Sequence, residues 1–127
     1  MSERHARFAE AFSEVCAIMD RLRDPGGCPW DAQQTLASLR AYLIEETYEV
    51  MQALESGDGD AHRDELGDLL YQVVFQAKLR EEEPGGFDVA DVCHAIRDKL
   101  VRRHPHVFAP NARPSAVGEV LRNWEEL

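Results

Sequence analysis

Residues 36–77 read LASLRAYLIEETYEVMQALESGDGDAHRDELGDLLYQVVFQA, and the period of their apolar positions decides the fold. Leu36, Leu43, Val50 and Leu54 recur at helical steps, and so do Leu66, Leu69, Leu70, Val73 and Ala77. Between the two runs stands Gly57-Asp58-Gly59-Asp60, which is turn chemistry. Two amphipathic helices joined by so short a link are expected to fold back on one another as an antiparallel pair.

The same period extends over the rest of the chain. Phe8, Phe12, Val15, Met19 and Leu22 predict a first helix over about 4–22, stopped by Asp24-Pro25-Gly26-Gly27. Cys28-Pro29-Trp30-Asp31 then leads into the second helix, with Asp31 as its expected N-cap and an end near 55. The third helix is expected over about 61–82, before the break at Pro84-Gly85-Gly86. Asp88, with Asp91 three residues on, caps a fourth helix that reaches about His104 on a stripe of Val89, Val92, Cys93, Ile96 and Leu100. His104-Pro105-His106-Val107-Phe108 reads as a loop packed against the bundle. A short last helix from near Ser115 carries Trp124 and ends in the polar turn Glu125-Glu126-Leu127. No strand pattern and no internal repeat interrupts this. The expectation is an all-α antiparallel helical bundle, a single domain over 1–127, with its core completed by oligomerisation.

Composition narrows the class. Against 24 acidic residues stand 14 basic ones, a net charge of -10, which argues against a binder of duplex nucleic acid. A small anionic ligand stays open, because metal ions screen acidic sites. No apolar run approaches the ~20 residues of a membrane span, and MSERHARFAE lacks the apolar core of a signal peptide, so a cytoplasmic protein is expected. Cys16, Cys28 and Cys93 are odd in number and without C-x-x-C spacing, which argues against a disulfide framework or a zinc site. Cys16 and Cys93 fall in apolar stripes and read as small buried hydrophobes.

The chemistry lies in the acidic residues. Glu45, Glu46 and Glu49 sit on the second helix, Glu65 and Asp68 on the third. Residues three apart share a helix face, and like charges so placed cost roughly 0.2–0.5 kcal/mol per pair. At about 100° per residue, Glu46 lies about 80° and Glu49 about 140° from a stripe centred on Leu36 and Leu54. On the third helix, centred on Leu66, Glu65 lies about 100° and Asp68 about 160° to the side, with Gln72 and Gln76 on the same flank. Glu45 projects away from the stripe and is left as a bridging or outer member of a ligand set. A solvated acidic face is the ordinary fate of such residues. The coincidence of spacing, flank and adjoining helices favours a site. With no Glu-x-x-His pair, the donors are all oxygen, which points to Mg²⁺ or Mn²⁺, and magnesium held by carboxylates usually shares its shell with substrate phosphates.

Lys99, Arg102 and Arg103 project to one side of the fourth helix, and arginine forks suit phosphate oxygens. Basic residues in a last turn also serve the helix dipole, so in isolation the two readings are even. Trp30 and Trp124 read by default as core or interface residues, with base stacking as the other use.

Taken together these residues resemble the MazG-like nucleoside triphosphate pyrophosphohydrolases. The likeness runs from Met19-Asp20-Arg21-Leu22-Arg23-Asp24-Pro25 to Trp124-Glu125. It rests on Gly27-Cys28-Pro29-Trp30-Asp31, Glu45-Glu46-Thr47-Tyr48-Glu49, Glu65-Leu66-Gly67-Asp68-Leu69-Leu70, and the run from Lys99 through Arg102-Arg103-His104-Pro105-His106-Val107-Phe108. The resemblance implies a bundle working as a homodimer or higher oligomer, and Mg²⁺-dependent hydrolysis of NTPs or dNTPs to monophosphate and pyrophosphate with broad, house-cleaning specificity. It implies Glu46, Glu49, Glu65 and Asp68 as metal ligands, Lys99, Arg102 and Arg103 as phosphate ligands, and Trp124 near the nucleotide. Many members carry two such domains in tandem, and this chain has one, most like the first. The rival readings are a nucleotide-binding regulatory module without turnover and a narrow dUTP or dCTP pyrophosphatase.

Overall fold

The computed structural model describes residues 1–111 and 116–126, and among these there are helices and no strand. Two compact units divide the chain, Met1–Phe87 and Asp88–Leu127.

The first unit holds α1 (Glu3–Arg23), α2 (Pro29–Gln33), α3 (Leu36–Ser56) and α4 (Gly59–Glu81). Ser2 caps α1 by accepting from the His5 N–H at 3.0 Å. After Arg23 the chain turns so tightly that a Cβ on Gly27 would lie 2.4 Å from the Arg21 carbonyl oxygen, so only glycine fits there. The expected second helix is in fact two. It breaks at Gln34-Thr35, where Thr35 and Ser38 form a reciprocal capping box that starts α3 afresh. Asp31 does not cap: Cys28 holds that position, and Asp31 is buried inside α2.

Gly57 ends α3 at φ 73°, a left-handed turn that favours glycine, and the Asp58 side chain at once caps α4. This two-residue link lays α4 back along α3, and α4 also packs on α1. The core is Met19 from α1, Leu39 and Ala53 from α3, and Val74, Phe75, Ala77 and Leu79 from α4. The stripe read from the sequence is therefore shifted. Leu54 is 57% exposed and Leu66 46%, while Leu39 and the small Ala53 face inward. Cys16 is half-buried and Cys93 exposed, not both buried.

Arg23 locks the α1 end. Its Nη1 donates to the Asp31 carbonyl at 2.6 Å and its Nε to Glu82 at 2.9 Å, with Nη2 paired to the same carboxylate. Beside it the Tyr71 hydroxyl donates to the buried Asp31 carboxylate, tying α2 to α4. Burial, then the hydrogen bond to Asp31, pushes the Tyr71 hydroxyl well above its usual range, so it stays a donor. Tyr71→Phe should cost about 1–3 kcal/mol, because it leaves a buried carboxylate short of a partner. Urea unfolding measures this as a lower midpoint at constant slope. An unchanged midpoint would show that this bond does not hold α2.

The second unit holds α5 (Val89–Arg103), α6 (Pro105–Phe108) and α7 (Val117–Glu126), with α5 touching both others. Asp88 and Asp91 form the expected capping box. Pro105–Phe108 is a helical turn, not the loop expected, because proline is preorganised for a first helical position. Ser115 and Leu127, the expected limits of the last helix, lie outside the described residues.

Candidate metal and nucleotide site

Each acidic side chain is placed by the register of its helix. Glu46 and Glu49 lie one turn apart on α3, Glu65 and Asp68 one turn apart on α4, and the Gly57-Asp58 link sets the two helices in antiparallel register. One carboxylate oxygen from each of Glu46, Glu49, Glu65 and Asp68 lies within 4.8 Å of the others. Glu46, Glu49 and Glu65 are half-buried and Asp68 is exposed, so the group opens to solvent on the Asp68 side. Glu45 is exposed and stands outside the group.

Four carboxylates this close repel one another. Burial, then the neighbouring Glu49, Asp68 and Glu65, pushes the Glu46 carboxyl from its ordinary 4.5 up to about 7. Burial and then Glu49 raise Glu65 as well. Two oxygens, Glu46 Oε2 and Glu65 Oε2, are buried without a hydrogen-bond partner in the protein. Buried oxygens normally have partners. An all-oxygen donor set with orphaned, mutually repelling carboxylates fits a hard divalent cation.

Glu46 holds its proton more tightly folded than unfolded, so between about pH 4.5 and 7 the folded state binds more protons. Stability of the metal-free protein therefore falls as pH rises through that window. Glu82 acts oppositely: Arg23 holds it below its ordinary value, so its contribution is lost on acidification. In EDTA the protein should melt highest between these limits and lower at about pH 8, with Mg²⁺ removing the fall on the alkaline side. A melting temperature in EDTA that is level from about pH 5.5 to 8 would contradict this crowding.

In the second unit, Arg102 and Arg103 end α5, and Lys99 lies a turn before Arg103 on the same helix. Lys99 and Arg102 are exposed, whereas Arg103 is half-buried with its guanidinium carbon 4.8 Å from the Trp124 ring centroid. The His104 ring meets Trp124 at 5.7 Å and His106 at 5.5 Å. Trp30 belongs to the first unit, edge-on to Tyr42 at 5.5 Å and Phe75 at 6.4 Å. The sequence reading missed Arg23 and the Asp31–Tyr71 pair. Their only signal was polar residues beside apolar positions, which periodicity does not separate from a solvated face. Gln72 was placed on the acidic flank, yet it is buried with its Oε1 unpartnered.

A family model for the MazG nucleotide pyrophosphohydrolase domain matches residues 34–108. That span contains all four clustered carboxylates and Lys99, Arg102 and Arg103 of α5, and stops before Trp124. The chain is 56% identical over 114 residues to a nucleoside triphosphate pyrophosphohydrolase of Escherichia coli K12, covering 89% of this chain and 43% of that protein. It is 44% identical over 116 residues to the nucleoside triphosphate pyrophosphohydrolase/pyrophosphatase MazG of Thermotoga maritima, covering 91% of this chain and 43% of the relative. The chain thus spans less than half the length of these relatives. A crystal structure of a mazG-related protein from Thermotoga maritima superposes with a TM-score of 0.72 at 25% identity, over 90% of this chain and 96% of that one.

Proposed function

The chain belongs to the MazG nucleotide pyrophosphohydrolase family, and from that premise we propose that it hydrolyses nucleoside triphosphates to monophosphate and pyrophosphate in a Mg²⁺-dependent reaction. The observation that carries the reading is the convergence of Glu46, Glu49, Glu65 and Asp68, with two of their oxygens buried and unpartnered. These four would hold Mg²⁺, or Mn²⁺ in its place. When bound, the ion supplies charge neutralisation and a more acidic water.

The chain's own residues do the rest. Glu46 and Glu65, half-buried, keep the acidic group away from bulk solvent, while the exposed Asp68 edge admits the polyphosphate. Glu45 lies outside the group and is the candidate to accept the attacking water's proton, with Glu49 as the other carboxylate in reach of that role. Water adds to phosphorus, the phosphoanhydride oxygen departs with pyrophosphate, and Lys99, Arg102 and Arg103 stabilise charge on the phosphate oxygens. Trp124 joins this substrate-binding set through its contact with Arg103.

Broad specificity, one functional domain spanning both units, and a cytoplasmic setting complete the proposal. A homodimer or higher oligomer is part of it too, supported by apolar side chains exposed on α3 and α4. Tyr48 is 62% exposed, and Ile44, Met51 and Leu54 on α3 and Leu66 and Leu70 on α4 are exposed as well. Among the described residues no helix is long and apolar enough to cross a membrane.

The test is incubation with ribo- and deoxyribonucleoside triphosphates, with and without Mg²⁺, scoring pyrophosphate against orthophosphate. Pyrophosphate and monophosphate in equal amounts, from several bases, are expected. Orthophosphate alone would place the cleavage elsewhere. Saturable Mg²⁺-dependent binding without product would make the chain a nucleotide-binding module.

A further inference from the structure

Trp124 invites two uses, as a platform for the nucleobase or as a support for its neighbour. The contacts within the second unit separate them. Arg103 lies over the indole with its guanidinium carbon 4.8 Å from the ring centroid. That is cation–π geometry, with the charge held over one indole face. The Arg103 Nε is buried and has no hydrogen-bond partner in the protein. A donor left so is costly unless an acceptor reaches it, and a guanidinium donor is matched best by an anionic oxygen.

A second contact braces the same ring. His104 stands nearly perpendicular to Trp124, at an interplanar angle of 82°. Its Nδ1 lies 2.6 Å from the Leu100 carbonyl oxygen. A carbonyl only accepts, so Nδ1 carries the proton, and the imidazole is tied to α5 one turn back. Arg103 and His104 thus lie against the indole from adjacent positions at the end of α5. The guanidinium carries its donors in a rigid fork, so a ring that holds its carbon in place limits where its N–H groups can point.

We propose that Trp124 is a positioning residue that holds Arg103 for the substrate's phosphate oxygens, rather than the platform on which the nucleobase stacks. This rests on the reading of Arg103 as a phosphate ligand. Its consequence for specificity is direct: Trp124 contributes equally to every base, because the group it orients touches only what all nucleoside triphosphates share.

The experiment uses the full chain and a probe without a base, inorganic tripolyphosphate with Mg²⁺, measured by calorimetry beside turnover of ATP, GTP, CTP and dTTP. Trp124→Leu should weaken tripolyphosphate binding and lower kcat/KM by roughly three- to thirtyfold, the range of a partly desolvated cation–π contact. The factor should be the same for each base. Trp124→Tyr and Trp124→Phe should recover part of the loss, and they carry the comparison if Trp124→Leu melts below the assay temperature. On an Arg103→Ala background, Trp124→Leu should add no further loss. Losses that differ between purines and pyrimidines with tripolyphosphate affinity intact would overturn the inference in favour of base stacking. Additive losses in the double variant would overturn it too. Arg103→Ala with unchanged tripolyphosphate affinity and turnover would remove the phosphate reading itself, and this inference with it.

Discussion

Glu46→Gln should sharply lower Mg²⁺-dependent turnover while making the metal-free protein more stable. The two signs follow from one geometry. Glu46 is half-buried, raised to about 7, and within 4.8 Å of three other carboxylates through one of its oxygens. Gln keeps the volume, removes one of four like charges and supplies an amide N–H to neighbouring acceptors. Above pH 7 the metal-free variant should melt a few degrees higher, since about 1 kcal/mol moves Tm by roughly 4 °C in a chain of this size. Turnover should fall by roughly 10²-fold or more, the scale on which a single charge-stabilising group acts in an active site. The stabilisation that Mg²⁺ gives the native chain should shrink with it. Calorimetry in EDTA and in Mg²⁺, beside a pyrophosphate assay, reads all three. A variant that turns over normally would end the metal assignment. One that is destabilised in EDTA would show that the four carboxylates are not crowded.

Phe75→Ala should be the most damaging single change to the fold. Phe75 is fully buried on α4, with Tyr71 at 5.4 Å and Trp30 at 6.4 Å between ring centroids. Removing the ring costs about 3–5 kcal/mol, out of a total that is typically about 5–15. In Tm that is a fall of roughly 10–20 °C. Trp30 belongs to α2 and Tyr71 anchors it, so α2 should exchange its amide hydrogens faster even below the transition. Phe75→Leu, which keeps most of the volume, should lose less than half as much. A Phe75→Ala shift under about 1 kcal/mol would mean that α1, α3 and α4 do not share the core described here.

The acidic group was legible in the sequence because it depends on relative angles along two helices, and a helix fixes those angles at about 100° per residue whichever face is buried. The inner face was not legible. Leu54 and Leu66 looked like core positions, yet the structure turns Leu39 and Ala53 inward and leaves both exposed. An apolar residue in the right period does not say which of two apolar faces meets its own chain, and a small residue such as Ala53 permits the closer approach of α4. The break before α3 went unread because its capping box uses Ser38 where Glu or Gln is the familiar signal. The Asp31–Tyr71 bond spans 40 residues, and no local pattern announces a partner that distant.

The two-residue link at Gly57-Asp58 has a kinetic meaning. All four clustered carboxylates lie between residues 46 and 68, on helices whose only connection is that turn. Closing so short a loop costs little chain entropy, and contacts near in sequence form early in folding. The repulsion is therefore met on the way up the barrier, before the slower joining of α1. In a chevron, pH and Mg²⁺ then act chiefly on the folding arm, and the rate of unfolding stays almost untouched. During synthesis the hairpin can close once Glu81 has left the ribosome, so a cation can settle the acidic group before residues 88–127 have emerged.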